Sequence, residues 1–256
     1  MKILNFFVLA VVVSMLWTSC SKDKTTGGGT TTPVKVRMTD APGNFQQVNV
    51  DITGVEFKVN DGTIVNLNVQ AGIYNILDFV NGIDVLIASA DVPSGTLSQV
   101  RLILGANNTV KVGGIVYPLS TPSAMQSGLK LSVNSTLTPD IEYTLLLDFD
   151  ASQSIVRTGN GEYQLKPVIR TMSVATGGSI KGSITTTLAL PAVISVTDGT
   201  NIYTTVTDVN GNFLLKAIPA GTYTVTVTPN APYAASTIAN VIVTVGNLTQ
   251  LVVITY

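Results

Sequence analysis

Alternation of apolar and polar residues with period two runs through most of the chain, and turn residues punctuate it. Val34, Val36 and Met38 alternate with Lys35 and Arg37, which predicts a half-buried strand. Val48, Val50 and Ile52 continue the pattern, whereas Val55, Phe57 and Val59 lie on the opposite parity. One extra residue at Thr53-Gly54, a β-bulge, returns both groups to one face. Asn60-Asp61-Gly62 predicts a tight turn before Val65, Leu67 and Val69, and Gly113-Gly114 predicts another between 110–112 and 115–117. The longest regular alternation covers 141–150. Ile141, Tyr143, Leu145, Leu147 and Phe149 share one face; Glu142, Thr144, Leu146, Asp148 and Asp150 share the other. Tyr163, Leu165 and Ile169 against Gln164, Lys166 and Arg170 predict the last strand of this unit. The stretch 73–90 fits a short helix as well as a strand.

A second linker, 173–178, contains Gly177-Gly178, and the composition changes after it. Residues 179–256 carry only Lys181, Lys216, Asp198 and Asp208 as charges. Tyr223, Val225 and Val227 face one way while Thr222, Thr224, Thr226 and Thr228 face the other, and threonine suits a strand surface that meets water. Many short strands with little helical pattern predict an all-β protein. The expected architecture is two tandem β-sandwich domains, at 34–172 and 179–256.

The first nineteen residues have a different periodicity. Lys2 precedes an apolar run over 3–17, broken by Asn5 and Ser14, and small residues lead to Cys20. That order is a secretory signal. A spanning helix needs about 20 apolar residues, more than this run holds. Thr18-Ser19-Cys20 resembles the end of a bacterial lipobox, with Trp17 where the pattern prefers an aliphatic residue. The resemblance implies a lipoprotein signal peptide at 1–19 and acylation of Cys20, which makes the membrane the first partner. Residues 20–33, charged and then Gly/Thr-rich, predict a flexible tether. Ser21-Lys22-Asp23-Lys24 resembles the charged stretches that send some lipoproteins to the outer face of the outer membrane. The expected location is the cell envelope, lipid-anchored at the outer membrane, with the membrane face left open.

Composition narrows the function classes. Cys20 is the one cysteine, so no disulfide can brace the 256-residue chain. There is no histidine, which removes Ser-His-Asp and Cys-His catalysis and His-based zinc sites. Net charge is −1 with no basic block, so nucleic acid is not an expected partner. The one tryptophan, Trp17, lies in the signal segment, which leaves no broad indole platform for stacking.

Specific motifs tie the first domain to a known family. Thr39-Asp40-Ala41-Pro42-Gly43, Arg101 to Gly105 followed by Asn107-Asn108, Ser127 to Leu131, Leu145 to Ala151, and Leu165 to Arg170 occur in order. Together they resemble the bacterial domain-of-unknown-function family numbered 4382, which implies a β-rich extracytoplasmic domain and no established activity. Thr207-Asp208-Val209-Asn210-Gly211-Asn212-Phe213 and Ile218-Pro219-Ala220-Gly221-Thr222-Tyr223 resemble carboxypeptidase-regulatory-like modules, small sandwiches with a carbohydrate-binding-like fold. Such modules serve as spacers or assembly units.

Asp148 and Asp150 share a strand face, and family membership implies that Asp40, Lys130, Lys166 and Arg170 lie near them. Such a cluster could bind a cation or polar ligand, or perform acid/base chemistry with two carboxylates. The expected reading is plainer: a solvated face, or ion pairs stitching strands together. Asp208 to Gly211 resembles a calcium-loop fragment without its distal Glu, so a hairpin is expected there. Ser127 to Lys130 and Ser21 to Lys24 fit S-x-x-K without its companion motifs. No cofactor, metal or catalytic residue is therefore expected. The expected function is a non-enzymatic envelope lipoprotein that binds or supports an envelope protein or glycan. The alternatives are a carbohydrate-binding lipoprotein using Tyr203 or Tyr233 and, last, a carboxylate-pair hydrolase.

Overall fold

The computed structural model describes residues 30–41, 43–60, 62–121 and 127–256. The signal segment, Cys20 and the charged stretch after it lie outside the described residues.

In chain order the N-terminal part begins with β1 (Thr31–Ala41), β2 (Gln47–Val59), β3 (Thr63–Asn66), β4 (Asn68–Val69) and β5 (Gly72–Asn75). It continues with β6 (Val85–Pro93), β7 (Gly95–Leu104), β8 (Thr109–Val112), β9 (Ile115–Ser120) and β10 (Leu129–Leu137). β11 (Tyr143–Asp150), β12 (Ile155–Arg157), β13 (Tyr163–Leu165) and β14 (Ile169–Ser173) complete it. Among the described residues one sheet has the order β14-β11-β1-β6-β4. The other runs β10-β7-β2-β8-β9-β13-β12, with β3 and β5 also paired to β2. Val36, Met38, Ile52, Phe57, Leu147 and Phe149 are fully buried between the sheets. Each such side chain contributes roughly 1.5–3 kcal/mol on burial.

The bulge is where alternation puts it: the β2–β7 register shifts between Ile52 and Gly54. The two predicted hairpins also form, with Val59 opposite Thr63 and Val112 opposite Ile115. Other expectations need correction. β1 starts at Thr31, inside the expected tether, because Thr32 is buried and its hydroxyl donates to the Thr138 carbonyl at 2.8 Å. Ile141 does not join the inner face of β11. It is exposed in a turn closed by its amide on the Thr138 carbonyl, and the strand begins at Tyr143. The expected last strand at 163–170 divides in two. Pro167, which has no N–H to give a ladder, marks the crossing: β13 pairs with β12 and β9 in one sheet, and β14 pairs with β11 in the other. The ambiguous stretch 73–90 holds the end of β5, a 3-10 turn at Ile76–Asp78 and most of β6.

The C-terminal part comprises β15 (Gly177–Ser183), β16 (Val193–Thr197), β17 (Ile202–Val206), β18 (Asn212–Pro219), β19 (Gly221–Thr228), β20 (Ser236–Val243) and β21 (Leu248–Gln250). They form sheets β18-β15-β21 and β17-β16-β19-β20 around Ile180, Ile194, Phe213, Tyr223, Val225 and Val227. The threonines of β19 alternate outward as expected. The segment 173–178 is a tight connection. Ser173 ends β14, Val174–Thr176 form a 3-10 turn, and Gly177 opens β15. A Cβ on Gly177 would sit 2.6 Å from the Ala217 backbone, and one on Gly178 would sit 2.3 Å from the Thr244 carbonyl. These glycines permit close packing of backbone on backbone.

The second core reaches into the first sandwich. Leu146 of β11 and Met172 of β14, on the outer face of their sheet, are buried with the C-terminal residues. The face that sequence alternation leaves to solvent is therefore covered.

Candidate functional site at the junction of the two sandwiches

Covering that face encloses the acidic residues that alternate with Leu146. Asp148 lies directly across the β11–β14 ladder from Arg170. One of its oxygens accepts both Arg170 Nε, at 2.9 Å, and Nη2, at 2.5 Å. The guanidinium also stands 5.4 Å from the centre of the Tyr203 ring, which belongs to the C-terminal sandwich. Burial pushes the Asp148 carboxyl up to about 6, and the adjacent Arg170 charge opposes the rise.

Asp40 lies one strand away on β1, next in register to the Thr39–Asp148 pair. It is 2% exposed. Its Oδ1 accepts the Ala151 amide at 3.1 Å, and its Oδ2 has no hydrogen-bond partner among the described residues. Burial raises its pKa to about 9, with the charges of Asp148 and Asp150 adding to the effect. At neutral pH it is a neutral acid. Asp150 caps the helical turn Ala151–Ser154: Oδ1 accepts from the Gln153 amide and the Ser152 hydroxyl, and Oδ2 from the Gln153 side chain.

The structure thus brings together four of the six candidate side chains: Asp40, Asp148, Asp150 and Arg170. It does not bring in the other two. Lys130 is exposed on β10 of the opposite sheet, in register with Arg101, because its neighbours Leu129 and Leu131 turn inward. Lys166 is exposed at the crossing between β13 and β14, tied there through its amide on the Ser154 carbonyl. The cavity beside Asp40 and Asp148 measures about 30 Å³. That admits a water and no substrate. Among the described residues no group of three or more acidic or cysteine side chains is placed to hold a metal ion. Asp208 uses its Oδ1 to accept the Asn210 and Asn212 amides, which makes the hairpin turn expected of it.

Sequence reasoning missed two junction residues. Asn81, at φ 57°, gives its amide to Thr205 Oγ1 and its side-chain NH₂ to the Asn212 carbonyl, and accepts the Leu214 amide at 2.6 Å. The Asn81-Gly82 pair was the available signal, since both residues take positive φ in a tight turn. Asp84 bridges Arg37 of β1 and Lys216 of β18, the latter at 3.1 Å. A further buried network explains part of the family motif. Asp51 accepts the Asn107 amide and side chain, while Asn108 accepts the Asp51 amide and donates to the Gly105 carbonyl.

Fold and site together define an all-β protein of two joined sandwiches, with Asp148 and Asp150 engaged at or beside the junction. The chain belongs to the family described as Domain of unknown function (DUF4382), whose model matches residues 31–167. No curated protein matches the sequence. Among solved structures, the Bacillus anthracis TIE protein is 13% identical with a TM-score of 0.24, over 83% of this chain and 34% of that one. BcpA, the major pilin subunit of Bacillus cereus, is 13% identical with a TM-score of 0.24, over 88% and 69%. A fimbrial protein from Bacteroides ovatus is 10% identical with a TM-score of 0.24, over 88% and 49%. The chain spans about a third of the first of these and about half of the third. Likeness at this level carries no functional argument.

Proposed function

We propose that the protein is a non-enzymatic lipoprotein of the cell envelope, acting as a binding or structural module for an envelope macromolecule. In this reading residues 1–19 are removed, Cys20 carries lipid at the outer membrane, and the following segment holds two joined sandwiches away from the bilayer. The C-terminal sandwich acts as a spacer of the carboxypeptidase-regulatory-like kind. One observation carries the reading: the acids that could have formed a catalytic pair are engaged by the chain itself. Asp148 is held by Arg170, and Asp150 by the turn it caps. A general acid and base need instead to face a bond across a cleft.

Two measurements test it. Palmitate labelling is expected in the wild type and absent from Cys20→Ala; labelling that persists in the variant would overturn the anchor. Crosslinking on intact cells is expected to recover a specific envelope macromolecule. Failure to recover any would count against a binding role. Hydrolysis of an envelope polymer by the wild type, abolished in an Asp148→Asn, Asp150→Asn double variant, would replace the reading with a hydrolase.

A further inference from the structure

A groove of about 450 Å³, lined by Arg170, runs between the two sandwiches and shares Met172 and Tyr203 with the small cavity. That volume lies within the roughly 300–1,000 Å³ of small-ligand sites, which favour domain junctions. β14 and β10, the end strands of their sheets, form one wall. The β10–β7 register shifts between Ser132 and Ser135, and Ser132 to Ser135 all line the groove. Tyr143 and Leu145, both buried in the first core, also line it, and the Tyr143 hydroxyl donates to Ser135 at 2.9 Å. Thr176, Asn201 and Tyr203 line the opposite side.

The lining carries hydroxyls and amides, each able to donate and accept. Asn134, Thr176 and Asn201 are exposed there. Among the described residues no carboxylate lines the groove, and the one cation there, Arg170, is already answered by Asp148. A ligand here meets many two-way hydrogen-bonding groups and no net charge. An added peptide strand fits poorly. Strands need about 4.8 Å on each side, and the Thr171 hydroxyl already bonds the Ser132 carbonyl across the two edges at 3.2 Å.

We infer that this groove binds a neutral oligosaccharide, held by the exposed Asn134, Thr176 and Asn201. The inference rests on the binding-module reading and names its ligand class. The test uses the full-length protein in a zwitterionic, sugar-free detergent. It is titrated with neutral oligosaccharides of glucose, mannose, galactose and N-acetylglucosamine, with calorimetry and NMR of the Asn134 and Asn201 side-chain amides as readouts. At least one sugar is expected to bind and shift both amides. Asn134→Ala and Thr176→Val, at exposed positions that leave the cores intact, are each expected to weaken binding about 3- to 10-fold. Raising NaCl from about 0.05 to about 0.5 M is expected to leave affinity unchanged. Silence across the sugars, or binding indifferent to both variants, overturns the inference, as does a mixed peptide library that shifts the same amides when no sugar does. A crosslinked partner recovered while all sugars stay silent leaves the binding module standing and removes this ligand.

Discussion

Arg170 and Asp148 face each other across the β11–β14 ladder, two guanidinium nitrogens on one carboxylate oxygen at 2.9 and 2.5 Å. Strand pairing alone would place them there, but the pair also lies where the second sandwich covers the first, with Tyr203 against the guanidinium. An ion pair that would contribute little in water is here partly shielded from it, Asp148 being buried and Arg170 keeping 26% of its side chain exposed. It joins two strands of one sandwich and contacts the other.

Removing one partner should therefore cost more than removing both. Arg170→Ala leaves a buried carboxylate with no counter-charge, and is expected to destabilise by about 3–5 kcal/mol in urea unfolding. An Asp148→Leu, Arg170→Met double replacement is expected to stay within about 2 kcal/mol of the wild type, since the desolvation cost goes with the charges. Equal losses in the single and double variants would show that the pair itself does not matter.

The neutral acid at Asp40 gives stability a pH dependence of definite sign. Its carboxyl is held at about 9 in the fold against 3.8 when free, so between those values the native state keeps a proton that the unfolded state has released. Stability on this account is fully present below the lower value and lost as pH rises toward the upper, by about 1.4 kcal/mol per pH unit for one proton. Asp148, raised to about 6, acts with the same sign but has finished titrating by neutrality. Between about pH 6.5 and 8.5 the wild type should lose roughly 2–3 kcal/mol that Asp40→Asn does not lose. Parallel pH profiles for the two proteins would rule out a buried neutral Asp40.

Much of this architecture was legible in alternation. The bulge at Gly54, the hairpin at Gly113-Gly114 and the threonine face of β19 follow from parity and turn residues alone. The covered face of β11 was not, because Leu146, Asp148 and Asp150 mix apolar and acidic residues on one side. That pattern is what an edge of a buried interface produces; the apolar Leu146 among acids was the clue. Pro167 was a second clue, since a residue without an N–H argues against one continuous strand across 163–170. The site was half legible. The structure puts Asp40 and Arg170 beside the acids, as the resemblance implied, whereas Lys130 and Lys166 face solvent, and Lys166 does so although it shares a motif with Arg170.

Asn81 is expected to control whether the two sandwiches unfold together. Its side chain makes two of its three bonds to the C-terminal part, to the Asn212 carbonyl and from the Leu214 amide. Asn81→Gly keeps the positive φ and the backbone bond to Thr205 and removes those two. A loss of about 1–3 kcal/mol is expected, with the single unfolding transition broadening as the parts begin to separate. Asn81→Ala should lose more, because the left-handed backbone then carries about 1–2 kcal/mol of added strain. A single sharp transition of unchanged midpoint in both variants would remove Asn81 from the junction.

Gly105 gives the sharpest test of the buried network behind the family motif. A Cβ there would lie 2.2 Å from Asp51 Oδ2 and 2.4 Å from its Cγ, so the carboxylate must move. Moving it breaks the bonds that Asp51 accepts from the Asn107 amide and side chain, at 3.1 and 2.8 Å. Gly105→Ala is therefore expected to cost about 2–4 kcal/mol in urea unfolding. Gly113→Ala, with open space around its Cβ but φ +57°, isolates the backbone penalty; that penalty should be about 1–2 kcal/mol. The decisive comparison is made in an Asp51→Ala background, where the three atoms nearest to a Cβ at position 105 are absent. There Gly105→Ala should cost less than about 1 kcal/mol, a strong departure from additivity. The same cost in both backgrounds would mean that Gly105 is required by its backbone and not by the Asp51 carboxylate packed against it.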